Sequence, residues 1–127
     1  MPVSSSNSVK IKSVSPVLVI DALKKWISEL RLNNKNLISA GYFGSYAKGN
    51  YAPGSDIDIL LILTNSKHDR FFDRSPEFYP ESFPIGMDIF VYTVDEISQM
   101  FEYGNGWIKQ VFNSTIWIFQ YPDIINI

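Results

Sequence analysis

Residues 56–63 read Asp-Ile-Asp-Ile-Leu-Leu-Ile-Leu, and this run restricts the rest of the chain more than any other. An unbroken apolar run of this length is expected of a strand covered on both faces. Side chains two apart in a strand point to the same face, about 6.6 to 7 Å apart along the chain. Asp56 and Asp58 therefore stand side by side at the mouth of the run. Two such carboxylates repel each other and are costly to desolvate. A divalent cation between them removes the conflict, and all-oxygen ligands on a rigid element suit Mg²⁺ or Mn²⁺.

The segment before it supplies a complementary half. Leu37–Phe43 reads as a strand, Gly44 lets the backbone turn tightly, and Ser45 begins a short helix through Lys48 that Gly49 stops. Backbone N–H groups at a helix N-terminus bind phosphate, and the Ser45 hydroxyl adds a donor. Eleven positions separate Ser45 from Asp56, so a phosphate cradle precedes a pair of metal-binding acids, and a metal–triphosphate needs both. Taken singly, a Gly-Ser is an ordinary turn and an Asp-x-Asp a solvated strand end; the joint order is what points to a nucleotide.

A third acid follows on residues 85–93 (IGMDIFVYT), which read as another strand. Met87, Ile89 and Val91 take one face; Asp88, Phe90 and Tyr92 take the other. An acid inside an apolar strand is costly unless paired. Beside the Asp56 strand, Asp88 completes a three-carboxylate cluster; otherwise it is a strand-end acid reaching water or a lysine.

The stretch GSYAKGNYAPGSDIDILLIL, residues 44–63, resembles the signature of the polymerase-beta-like nucleotidyltransferases, in particular the minimal nucleotidyltransferase (MNT) family. That signature is a hydrophobic strand, Gly-Ser, a spacer, then Asp-hydrophobic-Asp-hydrophobic. The Ser-Asp-Ile-Asp tetrad and the Ala-Lys-Gly after the Gly-Ser tighten the match. The resemblance covers about residues 37–93 and implies an α/β fold, a mixed twisted sheet with flanking helices. It implies transfer of a nucleoside monophosphate from a nucleoside triphosphate, ATP in the first instance, to a hydroxyl acceptor. Asp56, Asp58 and Asp88 would be the catalytic, metal-holding acids; Gly44 and Ser45 would hold the β- and γ-phosphates, with Lys48 and Ser55 as further nucleotide contacts. It also implies a partner: MNT proteins are commonly paired with small helical HEPN proteins as toxin–antitoxin modules, the MNT member acting as antitoxin and able to adenylylate a tyrosine of its partner. Two alternatives stand beside this. One is an interaction module that neutralises by binding alone. The other is a small-molecule nucleotidyltransferase of the aminoglycoside-modifying kind, working as a homodimer, the homo-oligomer such a chain would form.

Composition bounds these readings. With 127 residues, 46% hydrophobic and 19% charged, the chain reads as one globular domain over residues 15–127 behind a mobile tail over residues 1–14. The net charge of −2 and the lack of a basic stretch argue against an extended nucleic-acid footprint. Having no cysteine excludes disulfides, thiolate zinc sites and thiol nucleophiles. The one histidine, His68, reads as a surface side chain. No apolar stretch is long enough to span a membrane and no signal-peptide core opens the chain, so a cytoplasmic protein is expected.

The remaining segments frame the signature. Ser15-Pro16 marks a helix start, serine as N-cap and proline at the first helical position, with Val19, Leu23, Trp26, Ile27 and Leu30 on one face to about Leu32. Residues 9–11 are expected to form a short extended piece. Residues 64–84, with three prolines and five aromatics, read as an irregular segment whose aromatics pack on the core, or as a flap over the nucleotide or a partner-binding edge. Thr93 and Glu96 fit a capping box for a helix to about Tyr103. A short helix over residues 107–112 and a final strand over residues 115–121, closed by Pro122, complete the chain.

Overall fold

The computed structural model describes residues 14–120. The expected extended piece at residues 9–11, most of the tail, and Tyr121 and Pro122 at the close of the last strand lie outside the described residues.

Helix α1 runs Pro16–Asn33 and buries Val19, Leu23, Trp26 and Ile27, the expected stripe, with Leu30 half-buried at its margin. Proline opens it as expected, but the Ser15 hydroxyl makes no capping bond. The Ser15 carbonyl instead accepts from the Val19 N–H at 3.1 Å. Strand β1, Leu37–Phe43, is buried along its whole length. The one-turn helix α2, Ser45–Lys48, follows and ends at Gly49 in the left-handed region. Strand β2 is Ile57–Leu63. Two short 3-10 turns, Phe71–Asp73 and Ser75–Glu77, lead to strand β3, Met87–Thr93. Helices α3, Val94–Glu102, and α4, Gly106–Ser114, then precede strand β4, Ile116–Gln120.

The expected α/β architecture is present as a four-stranded mixed sheet ordered β3-β2-β1-β4. β1 is antiparallel to both β2 and β4, whereas β2 and β3 run parallel. The inner strand β2 alternates between two cores. Ile57, Ile59, Leu61 and Leu63 meet α1 together with Met87, Ile89 and Val91. Leu60 and Ile62 meet Ile97 of α3 and Ile108 and Val111 of α4. This double burial is why the run contains no polar residue after Asp58.

The irregular segment between β2 and β3 follows the expected packing only in part. Phe78 is buried and its carbonyl accepts from the Trp26 indole N–H at 3.1 Å. Phe72, in contrast, is 81% exposed. The anchor is a residue outside the expectation, Arg74, which is 3% exposed. Its guanidinium donates to both Glu96 oxygens at 2.6 and 2.8 Å and to the carbonyls of Val91, His68 and Asp69. Glu96 at the same time closes the expected capping box with Thr93. One carboxylate thus starts α3 and ties the preceding segment to it. His68 is a partly exposed surface side chain, as expected, and is bonded to Glu77.

Candidate active site

The C-terminal end of β1 and the N-terminal ends of β2 and β3 meet at one edge of the fold. The parallel register pairs Asp58 directly with Asp88. Neighbouring strands lie about 4.8 Å apart, so the two carboxylates are adjacent and face the same side. Asp56 precedes β2 by one residue and shares the parity of Asp58. The structure therefore brings the three sequence-predicted acids together. It corrects one premise: Asp88 is exposed, not enclosed by apolar neighbours, because it is the second residue of an edge strand. Asp56 is exposed as well, and Asp58 is half-buried.

Two glycines make room for these acids. Gly44 has φ +75°, a region costly for any side chain, and a Cβ there would collide with the Asp58 carboxylate. A Cβ on Gly86 would collide with the Asp56 carboxylate. Gly86 also starts the parallel ladder, its carbonyl accepting from the Ile57 N–H at 3.0 Å. Sequence reasoning assigned Gly44 a turn but gave Gly86 no role. Its signal was there to find: a glycine two residues before the third acid, where a strand interior disfavours one.

Electrostatics mark Asp58 within the trio. Burial raises its pKa above the usual carboxylate value, and the charges of Asp88 and then Asp56 raise it further. Among the described residues, no ion pair or hydrogen bond engages the side chain of any of the three. Nor do any three acidic or histidine side chains there form a ready-made coordination shell. The donor set nevertheless fits a hard divalent cation, which prefers carboxylate oxygens and relieves their mutual repulsion.

The remaining predicted contacts divide. Ser45 opens α2, half-buried, one residue after Gly44. Lys48 is exposed at the end of the same turn. The Ser55 hydroxyl accepts from the Ala52 N–H at 3.1 Å, closing the turn before β2.

Comparison with known proteins bears on this arrangement. The nucleotidyltransferase domain family model matches residues 23–118. A bifunctional uridylyltransferase/uridylyl-removing enzyme of Pseudomonas putida (strain W619) is 34% identical over 58 residues, 44% of this chain and 6% of that protein. The same-named protein of P. putida strain GB-1 is 29% identical over 84 residues, 65% of this chain and 9% of that protein. The chain thus spans less than a tenth of the length of these curated relatives. A crystal structure from Sulfolobus solfataricus, assigned as a nucleotidyltransferase, superposes with a TM-score of 0.56 at 24% identity, covering 80% of each chain. At that identity the likeness bears on the fold.

Proposed function

The chain belongs to the nucleotidyltransferase domain family, and on that premise we propose that it transfers a nucleoside monophosphate from a nucleoside triphosphate, ATP in the first instance, to a hydroxyl acceptor. The observation that carries this reading is the parallel register of Asp58 with Asp88, with Asp56 alongside and Gly44–Ser45 at the adjoining strand end. Asp56 and Asp58 would hold a divalent cation, Mg²⁺ or Mn²⁺. When bound, it neutralises phosphate charge and acts as a Lewis acid toward the reacting oxygens. The turn at Gly44 and Ser45 directs backbone N–H groups and one hydroxyl at the β- and γ-phosphates, with Lys48 close enough in sequence to add charge. In the transfer, the acceptor oxygen bonds to the α-phosphorus, and the bond from that phosphorus to the pyrophosphate oxygen breaks. Asp88, which would also be a ligand for the cation, would accept the hydroxyl proton. Its exposure on an edge strand suits an acceptor arriving from solvent.

The acceptor in this reading is a hydroxyl of a small helical HEPN-like partner, which makes the chain the antitoxin of a toxin–antitoxin pair. A second reading, uridylyl transfer from UTP, is favoured by the name of the curated relatives. The experiment supplies labelled ATP or UTP with Mg²⁺ and a co-expressed partner, and follows added mass. Asp58→Asn is expected to lose nucleotide binding and transfer together. Asp88→Asn is expected to keep much of the binding and lose transfer by about 10²- to 10⁴-fold. Full transfer by both variants would remove the acids from the chemistry.

A further inference from the structure

We propose that Trp107 is the stacking wall for the nucleobase, and that the chain chooses its donor by the area of the base rather than by its hydrogen-bond pattern. The proposal rests on the reading that the three acids hold a nucleoside triphosphate. It starts from the register. Phe43 lies directly opposite Asp58 in the antiparallel pair, so both project from the same face of the sheet. Asp88 and Phe90, two apart on β3, share that face as well. The acids therefore continue, along one surface, into two aromatic rings whose centroids are 5.5 Å apart.

Trp107 packs against both rings, edge-on to Phe43 and tilted to Phe90. Its indole is 6.2 Å from Phe43, 5.9 Å from Phe90 and 6.1 Å from Tyr92, centroid to centroid. Phe43 is 7% exposed, yet Trp107 keeps 40% of its surface open to water. A large ring held by three others needs little ordering when a ligand arrives. The backbone beneath it is equally set, because Asn105 caps α4 and accepts from the Ile108 N–H at 3.0 Å. A nucleoside on the α-phosphate at Asp58 and Asp88 that lies along this face meets the indole.

The surroundings decide what Trp107 can discriminate. Its ring neighbours Phe43, Phe90 and Tyr92 bring only one hydroxyl between them. Such a wall offers few groups to read a donor–acceptor pattern. Stacking is tolerant of base identity and grows with ring area, so purines bind ahead of pyrimidines.

The test measures the affinity of the full chain, with Mg²⁺, for non-hydrolysable analogues of ATP, GTP, CTP and UTP and for inorganic tripolyphosphate. Tripolyphosphate reads the acids and the phosphate turn without a base. The expected result is that each nucleotide binds more tightly than tripolyphosphate, purines ahead of pyrimidines. Trp107→Leu is expected to weaken nucleotides roughly ten- to a hundredfold while leaving tripolyphosphate unchanged. Trp107→Phe is expected to restore most of the loss. Undiminished nucleotide affinity in Trp107→Leu overturns the proposal. So does an equal loss for tripolyphosphate together with a lowered melting temperature, which marks Trp107 as structural. If the unaltered chain binds tripolyphosphate but gains nothing from a base, the stacking wall falls and the acid site stands. If it binds neither, the nucleotidyltransferase reading itself falls.

Discussion

Glycine at position 86 separates stability from function within a single residue. A methyl group there meets the Asp56 carboxylate, the far end of a side chain that can rotate aside. The fold therefore accommodates Gly86→Ala easily, and the reduced freedom of the unfolded chain adds about 0.4 to 1 kcal/mol of stability. The displaced carboxylate no longer holds its place beside Asp58. We expect metal–nucleotide affinity to drop by about tenfold, equivalent to one lost interaction with a charged group at about 1.4 kcal/mol. Calorimetric titration alongside a melting curve checks this; a lowered melting temperature with intact affinity would assign Gly86 to the fold alone. Gly44 differs because its φ of +75° adds backbone strain. Gly44→Ala is expected to lose both stability and binding.

At the scale of elements, the segment between β2 and β3 is held by Arg74 and Glu96. Glu96 has its pKa lowered, first by the hydrogen bond from Arg74 and then, against the opposing effect of burial, by the Thr93 backbone and the Arg74 charge. A depressed carboxylate contributes stability above its unfolded value, 4.5 for glutamate. That contribution is lost as pH falls through the lower folded value. Glu96→Gln should therefore be less stable than the parent at neutral pH, by about 1 to 3 kcal/mol. The third of the Glu96 side chain open to water keeps the loss toward the lower end. The gap should close as pH drops below 4.5. Denaturant unfolding at neutral and acid pH measures it; a gap independent of pH would mean that the capping geometry, not the charge, carries the interaction.

For the whole molecule, the acids form a low-stability corner on a double-sided core. Without a cation, the repulsion of Asp58 by Asp88 and Asp56 opposes folding; a bound metal–nucleotide reverses its sign. A ligand that binds only the folded chain stabilises it by about 2.7 kcal/mol at a hundred times its dissociation constant. For a domain of this size that is a rise in melting temperature on the order of 10 °C. Mg²⁺ with a non-hydrolysable nucleotide should produce it, and the Asp56→Asn, Asp58→Asn double variant should show no rise and, alone, should melt higher than the parent. A ligand-induced rise surviving in the double variant would locate binding elsewhere. Among the described residues no helix is long and apolar enough to cross a membrane.

Local patterning by itself determined β1, α2, β2, the α1 stripe and the capping box of α3, because periodicity, proline, glycine and cap residues act over a few positions. It also determined Asp56 and Asp58, since a strand's alternation places such a pair on one face. The start of β3 came two residues later than expected and α4 ran longer at both ends, as local signals blur at boundaries. Only the tertiary structure decided the rest. It decided that β3 pairs in parallel with β2 at a register aligning Asp88 with Asp58, and that Asp88 is exposed, since register and edge position depend on strands distant in sequence. It decided that Gly86 yields space to Asp56 and that Arg74 reaches Glu96, 22 residues away. It also set Trp107 against Phe43 and Phe90. These contacts join residues that share no local pattern: strand pairing brings Asp88 and Gly86 beside the end of β2, and the packing of α3 and α4 onto the sheet brings Glu96 and Trp107 within reach.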